Sequence, residues 1–227
     1  MSDLGTRLIS ALAMIALAAG ALWLGGWYWI ALVVLVAGLV LWEWNRLVSH
    51  FNTSPISEVI WLFVGACYIT AAALAMIQVR INYGPVEVAL IFLLPIIAVD
   101  VGAYFAGRTF GGPKIAPKIS PSKTWAGLAG GALAASAVAM AVTYWQFGSA
   151  SSDFIGEFDP LNALAAGVLI AVIAQAGDFF ESWMKRRAGV KDSGGLIPGH
   201  GGVFDRVDGF IAVFFVLFVV DAWPKVL

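Results

Sequence analysis

The chain has 227 residues, of which 61% are hydrophobic and only 12% are charged, and its mean hydropathy is +0.89. These values exclude an ordinary soluble domain and indicate an integral membrane protein. The formal net charge of -1 points to no class of partner, and we expect no nucleic-acid partner. The single cysteine, Cys67, lies in an apolar run, and it excludes an intrachain disulfide.

Seven apolar runs are candidates for membrane-spanning helices, because a helix rises about 1.5 Å per residue and the hydrocarbon core is about 30 Å thick. We take the first run as a retained helix, because no small-residue cleavage site follows it. The sequence predicts an all-α, polytopic membrane protein. In chain order the runs cover approximately residues 8–24, 28–44, 57–79, 86–107, 124–147, 161–180 and 208–223.

These runs form one predicted transmembrane domain over residues 1–227, with N-terminal helices in 1–80 and a catalytic half in 86–223. The basic residues predict its orientation, since Lys and Arg are retained on the cytoplasmic side. With an N-in, C-out topology, all Lys and Arg residues except Arg80 and Lys225 lie inside. A loop with Asp153, Glu157 and Asp159 then lies outside.

The first of two polar cytoplasmic loops, with its flanks, covers residues 100–127. Asp100, Tyr104 and Arg108 follow one another at intervals of four, so they share one face of the fourth predicted helix. An ionisable group at membrane depth marks a functional site or a buried pair. A structural pair of Asp100 with Arg108 is therefore the alternative to a functional role.

The second polar loop, with its flanks, covers residues 177–209. Asp178 ends the sixth apolar run, and three later side chains share its helical face: Glu181, Ser182 and Lys185. Asp205 and Asp208 open the seventh run, where interaction with the helix dipole alone would explain them. The positive-inside rule or anionic lipid would likewise explain any single basic residue. We expect a function because so many such groups share one predicted depth beside glycine-rich turns.

The chemistry of this set favours a magnesium-bound phosphate compound. Several carboxylates repel one another unless a cation lies between them, and carboxylate oxygens suit Mg²⁺. Basic side chains then suit phosphates, and the glycines around Gly194 and Gly201 allow backbone N–H groups to approach a phosphate. The P-loop, H-E-x-x-H and G-x-S-x-G motifs are absent from the sequence.

Both polar loops closely resemble motifs of the phosphatidate cytidylyltransferases, also called CDP-diacylglycerol synthases. The first loop contains D-x-x-A-Y-x-x-G-R at 100–108 and K-x-S-P-x-K-T-W-x-G at 118–127. The second contains S-x-x-K-R at 182–186, K-D-x-G at 191–194 and P-x-H-G-G-x-x-D-R-x-D at 198–208.

This resemblance implies that the protein converts CTP and phosphatidic acid to CDP-diacylglycerol and pyrophosphate. It also implies Mg²⁺, with K⁺ as a second cation, and a homodimer in the inner, cytoplasmic membrane of a bacterium. The metal ligands would be Asp178 and Asp205, with Asp208 and Asp100 as further ligands or their neighbours. The catalytic residues would be Asp178, Asp205, Asp208, Lys123, Lys185 and Arg206. The substrate-binding residues would be Ser120, Ser122, Ser182, Arg186, Lys191, His200, Gly201, Gly202 and Arg108.

Two other functions remain open from the sequence. A related enzyme would use CTP to phosphorylate a polyprenol or phytol, or to activate an ether lipid. An ion-coupled transporter would use intramembrane Asp residues to carry protons or cations. The transporter is disfavoured because the ionisable residues cluster at one face of the bilayer rather than at its midplane.

Overall fold

The structure, a computed structural model, describes residues 3–147 and 159–222, and within those ranges every regular element is helical. A π-helical segment, Val88–Leu93, joins the fourth and fifth α-helices. The predicted all-α class is therefore confirmed. The helices are α1 Asp3–Leu24, α2 Gly26–Ser49, α3 Pro55–Asn82, α4 Pro85–Glu87, α5 Leu94–Phe110, α6 Trp125–Phe147, α7 Pro160–Arg187 and α8 Phe204–Ala222.

Six helices in the described part of the chain are long and apolar enough to cross a membrane. They coincide with the first six predicted runs, which confirms a multi-pass membrane protein. The seventh run falls in α8, which is helical but carries four charged residues. The count of seven and the N-in, C-out orientation stay predictions. Three residues used for that orientation lie outside the described residues: Asp153, Glu157 and Lys225.

The described chain divides into two compact units, each with its own packing. Unit 1 consists of Met1–Pro85 and Gly177–Leu227, and unit 2 of Val86–Ala176. In unit 1, α3 packs against both α2 and α8, whereas in unit 2 α5 packs against α6. The prediction of a single transmembrane domain is not tested by this division and stays a prediction.

A tight hairpin joins α1 and α2 in unit 1. Gly25 has a φ of 63°, a left-handed conformation that glycine adopts without a steric penalty. The Arg80 guanidinium occupies the space that a side chain at position 25 would need. Arg80 Nε donates a hydrogen bond of 2.9 Å to the carbonyl oxygen of Leu22, so α3 holds the end of α1 in place.

An aromatic cluster fills the core of unit 1 around Trp44, which is 1% exposed. Its ring lies 5.8 Å from that of Phe180 and 5.9 Å from that of Phe204, between ring centroids. Its indole N–H donates to the carbonyl oxygen of Trp61 at 2.9 Å. These rings join α2, α3, α8 and the end of α7, next to the polar residues described below.

Small residues let α5 and α6 of unit 2 approach closely, as in many membrane helix pairs. A Cβ atom added at Gly102 would lie 2.5 Å from the carbonyl oxygen of Gly130 and 2.6 Å from the Cβ of Ala134. A Cβ atom added at Gly131 would lie 2.9 Å from the carbonyl oxygen of Val99. The backbones of the two helices are thus in direct contact.

We expect Gly102→Ala to destabilise the protein by about 1–3 kcal/mol, because the added methyl group overpacks the contact between α5 and α6. The measurement is thermal unfolding of purified protein in detergent. Gly38→Ala is the matched control, since nothing lies within 4 Å of the added Cβ there. Equal melting temperatures for the two variants would contradict this account of the packing.

Candidate active site

A buried cluster of charged side chains joins the end of α7 to the start of α8 in unit 1. Lys185 Nζ lies 2.6 Å from Glu181 Oε2 and 2.6 Å from Asp205 Oδ1. The Glu181 side chain is 1% exposed, and that of Lys185 is 13% exposed. The sequence placed Glu181 and Lys185 on one face of a helix, and the structure confirms it.

The glycine-rich loop before α8 folds around the second oxygen of Asp205. Asp205 Oδ2 accepts hydrogen bonds from the Ser193 N–H at 2.9 Å, the Ser193 hydroxyl at 2.8 Å and the Gly202 N–H at 2.9 Å. Gly201 has a φ of 84°, and a Cβ atom added there would lie 3.2 Å from the same oxygen. The backbone N–H groups of this loop thus approach the Asp205 carboxylate, and their predicted approach to a phosphate stays a prediction.

The surroundings of Asp205 favour its charged form. Burial raises the pKa of this carboxyl, but hydrogen bonds outweigh burial, including those from Lys185 and the Gly202 N–H, and lower the pKa to about 2. A carboxyl with a lowered pKa in the folded protein stabilises the fold above its unfolded pKa. The contribution of Asp205 to stability is therefore complete above about pH 4 and is lost as the pH falls towards 2.

Four carboxylates in unit 1 offer the hard oxygen ligands that suit a divalent cation. Glu181 Oε1 is buried and accepts no hydrogen bond within the described residues, so it keeps lone pairs that a further ligand could use. Asp178 Oδ1 accepts a bond of 3.4 Å from the Ser182 hydroxyl, and Asp208 Oδ1 accepts one of 2.8 Å from the Gly209 N–H. This donor chemistry fits a metal ion, although direct ligation by Asp205 would require displacement of Lys185.

Among the described residues, no group of three or more His, Cys, Asp or Glu side chains has an arrangement that could hold a metal ion. The predicted ligands lie on the two helices that meet in the charged cluster: Asp178 on α7, and Asp205 and Asp208 on α8. Their side chains do not form a coordination shell. Their assignment as metal ligands stays a prediction, as does that of Asp100.

The remaining predicted residues of the second loop occupy several environments. His200 Nδ1 forms a hydrogen bond of 2.9 Å with the hydroxyl of Ser10 on α1. Arg206 donates two hydrogen bonds, of 3.2 and 2.8 Å, to the carbonyl oxygen of His200. The Arg186 side chain donates to the carbonyl oxygen of Val190 at 3.4 Å, and Lys191 is exposed. These contacts hold the loop in shape and leave Lys191 accessible to solvent.

Unit 2 contains a cavity of about 460 Å³ at the cytoplasmic end of α5, as the predicted topology defines it. Its lining includes the predicted triplet Asp100, Tyr104 and Arg108 together with Ser122 and Lys123. Arg108 donates a hydrogen bond of 2.9 Å to the Tyr104 hydroxyl. Lys123 Nζ donates one of 3.1 Å to Oε1 of Gln175, which is 4% exposed and also lines the cavity. Ser120, also predicted, is buried and is not among the lining residues.

Three residues of these environments were not predicted from the sequence: Glu43, Gln175 and Ser193. Glu43 is fully buried and contacts the loop that holds Asp205. Glu43 and Gln175 share a signal that identifies them, since each is a polar residue within an apolar run. Ser193 had no such signal, because serine is common in loops.

Comparison with known proteins gives matches along most of the chain. A family model described as "Cytidylyltransferase family" matches residues 5–83 and 50–222. A protein of Brucella suis named phosphatidate cytidylyltransferase is 38% identical over 163 residues, which are 71% of this chain and 57% of that protein. The chain thus aligns with little more than half the length of that relative.

Two further bacterial relatives carry the same name. The protein of Rickettsia bellii is 33% identical over 226 residues, which are 97% of this chain and 91% of the relative. The protein of Haemophilus influenzae is 31% identical over 189 residues, which are 82% of this chain and 62% of the relative.

We expect Lys185→Met to destabilise the protein by about 3–5 kcal/mol, because it leaves Glu181 and Asp205 buried without their cation. Adding Glu181→Gln should restore part of this loss, since the buried carboxyl group that Lys185 contacts is removed with it. Thermal unfolding in detergent measures both effects. Lys191→Met, at an exposed lysine, is the control and should change the unfolding free energy by less than about 0.5 kcal/mol. A Lys185→Met protein as stable as this control would contradict the ion cluster.

Proposed function

Because the chain belongs to the cytidylyltransferase family, we propose that it transfers the cytidylyl group of CTP to phosphatidic acid, with CDP-diacylglycerol and pyrophosphate as products. The observation that carries this proposal is the glycine-rich loop of unit 1, which folds around Asp205 beside Lys185. The names of the relatives support the choice of both substrates.

The proposed reaction is a substitution at the α-phosphorus of CTP. An oxygen of the lipid phosphate forms a new bond to that phosphorus, and the bond from the phosphorus to the oxygen bridging to the β-phosphate breaks. Pyrophosphate leaves with the electron pair of that bond. Since the attacking phosphate is already an anion, the enzyme mainly has to align the reactants and neutralise charge.

The basic residues are suited to neutralise that charge. In the unit 2 cavity, Arg108 and Lys123 offer two cations within a volume typical of small-molecule sites. Gln175 accepts a hydrogen bond from the Lys123 ammonium, which restricts the position of that charge. We assign Arg108 and Lys123 to phosphate binding, with Ser122 as a hydroxyl donor.

In unit 1, the proposed roles follow from the contacts of each residue. Lys185 shares its charge between Glu181 and Asp205, so it is held in a fixed position from which it can also neutralise a phosphate. Arg206 donates to the carbonyl oxygen of His200, and the His200 ring contacts Ser10 of α1. We assign both residues to the same binding surface. The exposed Lys191 and Arg186, with Ser182, Gly201 and Gly202, complete the proposed set.

The cytidylyltransferase family is generally metal-dependent. We propose Mg²⁺, with K⁺ as a second cation, held by Asp178, Asp205 and Asp208, and we retain Asp100 as a further proposed ligand. When bound, the metal would polarise phosphoryl oxygens and offset negative charge. The buried Oε1 of Glu181, which accepts no hydrogen bond within the described residues, adds a candidate ligand that was not predicted from the sequence.

A multi-pass membrane protein suits a lipid substrate, because the acyl chains stay in the bilayer while the headgroup reaches the polar residues. We propose the inner membrane of a bacterium as the location, since the relatives are bacterial. We also propose that the protein is a homodimer, because the family resemblance implies it. Light scattering measures the number of chains in the purified particle, once the contribution of the detergent is subtracted.

We expect purified protein with Mg²⁺ to transfer label from CTP carrying ³²P at the α-phosphate, but not at the γ-phosphate, to phosphatidic acid. Asp205→Asn should lower this rate by about a hundredfold or more, as for loss of an electrostatic group in other enzymes. Chelation of divalent ions should abolish the transfer, and added Mg²⁺ should restore it. Circular dichroism and thermal unfolding verify that the variant is folded.

Other outcomes of the labelling assay identify the alternatives. Transfer of the γ-phosphate to a polyprenol or phytol would show a lipid kinase, and α-label on an ether lipid alone would show a different lipid acceptor. Absence of any CTP-dependent reaction, together with solute movement into liposomes, would favour a transporter. Each of these results contradicts the proposed function.

We expect Lys123→Ala to raise the KM for CTP or phosphatidic acid at least tenfold, a loss of about 1.4 kcal/mol, because the cavity loses a phosphate-binding cation. Steady-state kinetics of the same transfer reaction measure it. Lys118→Ala is the matched control, because this exposed lysine lies in the same loop and outside the lining of the cavity. Similar KM values for both variants would exclude Lys123 from substrate binding.

A further inference from the structure

Glu43 is a fully buried acidic residue near the end of α2 in unit 1, with an exposed fraction of 0%. Its carboxylate accepts hydrogen bonds from the Val203 N–H at 3.0 Å and the Phe204 N–H at 2.7 Å. The Phe204 N–H opens α8 and the Val203 N–H directly precedes it, so neither has a backbone acceptor in the same helix. Glu43 thus caps α8 from a different helix.

Glycines in the loop before α8 leave space for the Glu43 carboxylate. A Cβ atom added at Gly194 or Gly202 would collide with the carboxylate oxygens of Glu43. At Gly194 the nearest atoms all belong to Glu43, whereas at Gly202 the hydroxyl oxygen of Ser193 lies nearer still than the Glu43 oxygens. The carboxylate lies against the loop backbone at two points, before and after the turn that contains His200, and it fixes both ends of that turn to α2.

Ser193 connects Glu43 to Asp205. Its hydroxyl oxygen lies 2.9 Å from Glu43 Oε2 and 2.8 Å from Asp205 Oδ2. A serine hydroxyl has one hydrogen, so it donates to one carboxylate at a time and is held between both. A shift of the Glu43 carboxylate would move Ser193, and with it two of the donors that orient Asp205.

We infer that Glu43 is a positioning residue, which acts through Ser193 and the start of α8 to hold Asp205 in its reactive orientation. The inference rests on the proposed function, in which Asp205 takes part in the transfer reaction. Glu43 touches neither substrate in this role. Its burial at 0% exposure prevents solvent from replacing its contacts, so the loop depends on this one side chain.

Glu43→Gln is the sharpest test, because it preserves the shape of the side chain. One carboxylate oxygen becomes an NH₂ group, which faces a donor of the loop and leaves it without an acceptor. We expect kcat to fall by about tenfold or more, since displacement of a reactive group by about an ångström has effects of this size. The KM for CTP should change by less than about threefold. Ser193→Ala should act on the same contact, so the double variant should lose less than the product of the two single losses.

Hydrogen exchange measured by mass spectrometry reports on the loop independently of the reaction. In Glu43→Gln the peptide covering residues 193–204 should exchange faster than in the unchanged protein, because the Val203 or Phe204 N–H loses its acceptor. Val40→Ala is the matched control, since Val40 is also 0% exposed on α2 and its apolar side chain cannot form a hydrogen bond with the loop. It should lower the melting temperature while kcat and loop exchange stay unchanged.

The outcomes separate this inference from the proposed function. Unchanged loop exchange in Glu43→Gln, or a kcat loss no larger than that of Val40→Ala, would overturn the positioning role. A fully active Asp205→Asn protein would instead overturn the role of Asp205 in the reaction, whatever the exchange experiment shows. Fast exchange, a loss in kcat with little change in KM, and non-additivity with Ser193→Ala together support the inference.

Discussion

The buried charge of Asp205 is the constraint on which unit 1 depends. An ionised carboxylate withdrawn from water is unstable unless opposite charge and hydrogen-bond donors replace its hydration. Lys185 supplies the charge, and Ser193 and Gly202 supply the donors. Because these groups come from α7 and from the loop before α8, their convergence determines how both helices end and begin.

The same constraint explains why the loop contains so many glycines. Two carboxylates, those of Asp205 and Glu43, lie against its backbone, and side chains at Gly194 or Gly202 would exclude Glu43. The sequence suggested that these glycines admit a phosphate. In the structure they make space for the protein's own carboxylates. A phosphate would therefore bind next to negatively charged side chains, and Lys185, Arg206 and Lys191 would supply the positive charge that it needs.

Unit 2 differs from unit 1 in that it combines close helix packing with a polar cavity. Glycines on α5 and α6 bring the two backbones into contact, while the cavity carries Arg108 and Lys123. Contact between Gly102 and Gly130 fixes the two helices without large side chains. Rigid helices of this kind suit phosphate-binding cations, because precise placement of charge matters more than its amount.

The sequence by itself determined the helical class, the approximate membrane-spanning runs and the shared faces of Asp100 with Arg108 and of Glu181 with Lys185. Those features follow from hydropathy and helical periodicity, which are local properties. Only the tertiary structure decided that Lys185 pairs with Asp205, that Gln175 contacts Lys123 and that Glu43 caps α8. Such contacts join residues up to 161 positions apart, and no local pattern specifies the partner of a buried polar side chain.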